Sequence, residues 1–85
     1  MELSEDDILK KQLSVLIVSV LLKRNELTAD SVFRCLDYFS LLSVVSGEER
    51  EKLLFLVRFY GEEKIQQALC DLFIDFTKAY AGVES

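Results

Sequence analysis

The sequence predicts an all-α fold, a small four-helix bundle that oligomerises. Three observations carry this. Apolar residues recur at gaps of three and four through most of the chain; proline is absent; and 51% of the residues are hydrophobic in a chain of only 85. Helical periodicity without a breaker favours helices. A chain this short hides only about 60 to 65% of the surface it exposes when unfolded, so the apolar content exceeds what one small core conceals. One helical domain is expected over residues 1–85, with an ordered core at about 4–81.

The first helix is expected from Ser4 to Arg24. Ser4 is an N-cap residue, and Glu5, Asp6 and Asp7 complement the helix dipole in the first turn. Within it, QLSVLIVSVLLKRN holds an uncharged stretch from Gln12 to Leu22, 11 residues long. That is about half of what a bilayer crossing requires, and no membrane span is expected. A strand over 13 to 22 is disfavoured by the acidic cap and by the lack of a hairpin turn that would supply a partner.

The second helix is expected from about Ala29 to Val45, capped by Thr28, with Val32, Cys35, Leu36, Phe39 and Leu42 on its buried face. Ser46-Gly47-Glu48-Glu49 fits a capping box that opens the third, whose inner face is Leu53, Leu56, Val57 and Tyr60. The fourth follows Gly61, nearly continuous with the third through Tyr60-Gly61. It presents Ile65, Leu69, Leu72, Phe76, Ala79 and Tyr80, and Gly82 is its expected C′ residue.

On a helical wheel at about 100° per residue the first helix has two apolar stripes. Leu9, Leu13, Leu16, Ile17, Val20 and Leu21 form the broad one; Ile8, Val15, Val18 and Leu22 form a second on the far side. Ser19, Gln12 and Lys23 border the second stripe on one side, and Ser14, Lys10 and Lys11 on the other. A similar surplus appears elsewhere: Phe55 and Phe59 four apart, Phe33, Leu41 and Val44 off their helix's main stripe, and Cys70 and Ile74 nearly opposite Ile65. Large contiguous apolar patches are uncommon on soluble monomers. The expected function is therefore a helical protein–protein interaction module, a homodimer or a subunit of a larger assembly. Its candidate interface is Ile8, Val15, Val18, Leu22, Phe55, Phe59 and Ile74.

Ten Lys and Arg against fifteen Asp and Glu give a net charge of −5, which disfavours a nucleic-acid or anionic-membrane partner. An accessory subunit touching nucleic acid through Lys10, Lys11, Lys23 and Arg24, at the ends of the first helix, is the alternative. A carboxylate-based metal-dependent hydrolase using Glu49 or Asp71 is the second. Neither carries a motif: with no histidine a general base would be a carboxylate, a lysine or a cysteine, and the acid runs read as solvated faces, Lys78 standing as the partner of Asp75. No enzyme activity, cofactor or metal is expected. Cys35 and Cys70 read as small buried hydrophobes in a reducing compartment. The acidic N-terminus lacks the features of a signal peptide, and a cytoplasmic location is expected.

Overall fold

A computed structural model describes residues 4–84, with side chains described through Ala81. These residues form five helices and no strand: α1 (Glu5–Lys23), α2 (Ala29–Cys35), α3 (Tyr38–Val44), α4 (Gly47–Tyr60) and α5 (Glu62–Glu84).

α1 begins as its sequence dictates. The Asp7 backbone N–H donates to Ser4 Oγ at 3.1 Å, and Glu5, Asp6 and Asp7 occupy the first turn. The six residues of the broad stripe are all buried, and Leu9, Leu13, Ile17 and Leu21 rank among the largest fully buried side chains. Lys23 of the last turn pairs with Glu49 of the first turn of α4, so α1 and α4 run antiparallel. Asp6 meets Lys64 at 3.4 Å and Lys10 meets Asp75 at 2.9 Å. Those contacts ascend along both helices, so α5 runs in the direction of α1.

The expected second helix is two. Leu36 leaves helical geometry (φ −86°, ψ 40°), and Asp37 then caps a new start, accepting from the Ser40 backbone N–H at 3.1 Å. Tyr38 N–H, one of the donors a helix start leaves without an internal partner, donates to Gln66 Oε1 of α5 at 3.0 Å. The break resets the phase of the apolar pattern. Phe39, expected inside, is 69% exposed, whereas Leu41, expected outside, is fully buried, and Tyr38 and Val45 beside it are buried too. Phe33 and Val44 also pack against the core rather than adding to the surplus; the Phe33 ring lies 4.7 Å from Phe76 and 5.3 Å from Phe73.

Two further expectations change at the later helices. Ser46 occupies the N-cap position of α4, but its side chain makes no capping hydrogen bond, and Glu49 turns to Lys23 instead of closing the box. The division at Gly61 stands as expected: that residue alone separates α4 from α5, at φ 93°, ψ 150°, a conformation open essentially to glycine alone. The Gly61 N–H still donates to Val57 O at 2.8 Å while its carbonyl accepts from Ile65 N–H at 3.1 Å. One residue thus ends one ladder and starts the next. Gly82 does not end α5, which continues to Glu84; glycine weakens a helix by about 1 kcal/mol relative to alanine without forbidding it.

The core is one contiguous set of side chains from all five helices, with Leu13, Leu41, Leu53, Ile65 and Leu69 fully enclosed. The molecule measures 40 × 34 × 22 Å. Its shortest dimension is about two helix diameters, so a helix apolar on two sides is covered on one.

A candidate interaction groove between α1 and α4

The second stripe of α1 faces outward. Ile8, Val15, Val18 and Leu22 are all exposed, Val15 and Leu22 by about three fifths (58% and 60%). Their positions, with Lys11, follow gaps of three, four, three and four, the spacing of a coiled-coil seam. Lys11, read from the wheel as a border residue, therefore stands within the row. The seam spacing was the signal that places it there.

α4 supplies the facing wall. Because Leu53 and Leu56 point into the core, Phe55 and Phe59 fall on the outer flank, 64% and 67% exposed. Their rings stack on each other with centroids 6.3 Å apart and an interplanar angle of 18°. Between the helices runs an open groove of about 580 Å³, with Ile8, Val15 and Phe55 on its walls, Leu16 and Leu56 at its floor, and Lys11 and Lys52 at its mouth. Val18 and Leu22 continue the α1 wall along the helix, and Phe59 extends the α4 wall by one turn. Ile74 is exposed too, but it stands on α5 and lines none of this groove.

Charge at the groove is arranged around one buried acid. Glu49 is 4% exposed, and the hydrogen bond from Lys23 holds its carboxyl below the usual glutamate range while the carboxylate lifts the Lys23 ammonium above its own. On the opposite side of α1, the hydrogen bond to Asp75 likewise raises Lys10. Asp75 thus takes Lys10 rather than the expected Lys78, and Asp71 accepts from Gln67 at 3.2 Å.

Three of the four cations at the ends of α1 have acidic partners: Lys10 with Asp75, Lys23 with Glu49, and Arg24 with Glu26 at 3.3 Å. Among the described residues no three Cys, Asp or Glu side chains converge where they could hold a metal ion. A second depression, about 670 Å³, lies between α3 and α5 beside Tyr38, Phe39 and Cys70, and its rim is acidic through Asp37, Glu62 and Glu63. Cys70 is exposed there, contrary to expectation, whereas Cys35 is buried and its thiol pKa is raised by desolvation. Both are free thiols. Among the described residues no helix is long and apolar enough to cross a membrane.

No family model, curated protein or solved structure matches this chain.

Proposed function

We propose that this chain is a helical protein–protein interaction module whose binding surface is the outer face of α1 and α4. The observation that carries the reading is the convergence of Ile8 and Val15 from one helix and Phe55 from the other on one apolar groove. Aromatic anchors beside aliphatic walls are the usual composition of interface hot spots. Covering this surface removes apolar area from water at about 25 cal/mol per Å², which a thin two-layer core does not supply by itself. The module acts as a homodimer or as a subunit of a larger assembly, without catalysis and without a cofactor, and its acidic balance makes a protein rather than a nucleic acid the partner.

Light scattering or native mass across a concentration series, with a hydrophobic dye as a second probe, tests this reading. Concentration-dependent association, or saturable dye binding by a folded monomer, supports it. A monomer at every concentration that binds no dye overturns it.

A further inference from the structure

We propose that the occupant of this face is a second copy of the same chain, with the two α1 helices packed antiparallel about a two-fold axis at Val15. The inference rests on the interaction-module reading and names its partner. Three features of α1 carry it.

The first is symmetry. Ile8 and Leu22 lie seven residues on either side of Val15, so these three positions of the exposed row exchange onto one another when the helix is reversed. An isologous contact needs that property: residue i of one copy meets j of the other, and j meets i. With Val15 on the axis, Ile8 of each copy lies against Leu22 of the other.

The second is charge. α1 carries Glu5, Asp6 and Asp7 in its first turn and Lys23 in its last. Glu5 and Lys23 are 18 residues apart, five full turns, so they fall on the same edge of the seam. In an antiparallel pair like edges face each other, and Glu5 of one copy meets Lys23 of the other at both ends of a contact about 28 Å long. Lys23 is 62% exposed while it holds Glu49, which leaves its ammonium accessible to a second acid. A parallel pair would stack two acidic first turns side by side, and the helix dipoles would also align unfavourably.

The third is the single charge in the seam. Lys11 stands between Ile8 and Val15 in the row and lines the groove. A lysine stem lies along apolar surface while its head stays in water, and one polar residue in an apolar seam selects register.

Disulfide trapping in a Cys70→Ser background, which removes the exposed thiol, tests the arrangement alongside light scattering. Ile8→Cys mixed with Leu22→Cys is expected to give a crosslinked heterodimer, Val15→Cys to crosslink to itself, and Ile8→Cys alone to remain uncrosslinked. Val15→Glu, which sets two carboxylates together on the axis, is expected to weaken the dimer by roughly 100-fold or more with helix content unchanged. Ile8→Cys crosslinking to itself overturns the antiparallel arrangement. A dimer that keeps its affinity in folded Val15→Glu overturns α1 as the contact but leaves the interaction-module reading intact. A monomer that binds dye removes the second copy as occupant, whereas a monomer that binds none overturns both.

Discussion

Lys23, at the exposed end of α1, holds the buried carboxylate of Glu49 in the first turn of α4. The pair joins the last turn of one helix to the first turn of another 26 positions later, and its Glu49 lines the apolar groove. Glu49 is also where a helix N-terminus favours an acid. Two local preferences and one tertiary contact therefore agree on one carboxylate.

That agreement has a pH signature. Glu49 is held below the ordinary glutamate value of about 4.3, so its contribution to stability is present above that value and is lost as the pH falls through the lowered one. Lys23 is raised, so its contribution is present below about 10.4 and is lost as the pH rises through the raised value. Lys23→Met should lower the melting temperature most between these limits, because it leaves Glu49 buried without a cation. The deficit relative to wild type should shrink on acidification. Melting curves from pH 3 to 8 that stay parallel for wild type and Lys23→Met would show that the pair contributes nothing.

Leu16 and Val18 are two residues apart on one helix and occupy opposite environments, 4% and 41% exposed. A carboxylate at Leu16 must be desolvated in the core at a cost of several kcal/mol, and Leu16→Glu should abolish cooperative unfolding. Val18→Glu should leave circular dichroism and monomer stability within about 0.5 kcal/mol of wild type, as surface substitutions usually do, while reducing association. If both variants lose helicity alike, the two stripes share one core and α1 is not two-sided.

The two-sidedness of α1 was legible because a long helix keeps one phase: the wheel sorts its ten apolar residues into the six that are buried and the four that are exposed. The segment from Ala29 to Val45 was not, although Asp37 is a good N-cap. Its two seven-residue helices are too short to hold themselves together. Their break is settled by tertiary contacts such as that between Tyr38 N–H and Gln66, which no local pattern encodes. Glu49 illustrates the same limit, since a capping box and a distant lysine competed for it. The seven candidate interface residues could be chosen as surplus, and all seven are exposed. That Phe55 faces Val15 across a groove while Ile74 stands apart follows from the antiparallel pairing of α1 and α4, a three-dimensional fact.

Gly61 and Gly47 both have positive φ, 93° and 57°, and a Cβ at either would meet no atom within 4 Å. Any cost of alanine there is conformational. At Gly47 the backbone φ is that of the left-handed helical region, which costs a side chain roughly 1 to 2 kcal/mol; at Gly61 the conformation is nearly exclusive to glycine and costs up to about 3 kcal/mol. Chemical denaturation should therefore rank Gly61→Ala as more destabilising than Gly47→Ala. The reverse order would mean that the turn between α4 and α5 relaxes without strain.

The two cysteines should separate cleanly by reactivity. Cys70 is exposed, whereas Cys35 is buried with its pKa raised by desolvation, and the thiolate is the reactive form. An aromatic disulfide reagent at pH 8 should label one thiol per chain quickly in the native protein and the second at the rate of opening. Cys70→Ser should eliminate the fast phase. Two fast phases would place Cys35 at the surface.

Phe55 and Phe59 decide whether the α4 wall of the groove is structural or functional. Each ring is about two thirds exposed, and the two stack on each other, with Tyr60 4.8 Å from Phe59. Removing both rings gives up an aromatic pair worth about 0.5 to 1.5 kcal/mol beyond its area, with no cavity opened in the core. Phe55→Ala/Phe59→Ala should therefore change the stability of the monomer by no more than about that amount. If the rings anchor a partner, each contributes roughly 2 kcal/mol or more to association, a loss of at least 30-fold per ring in affinity. Unfolding followed across a concentration series separates these effects, since an associating protein gains stability with concentration and a monomer does not. The wild type should show that dependence, and the double variant should show less of it at an unchanged low-concentration limit. A large loss of stability at that limit, with the concentration dependence intact, would instead make the rings part of the monomer core.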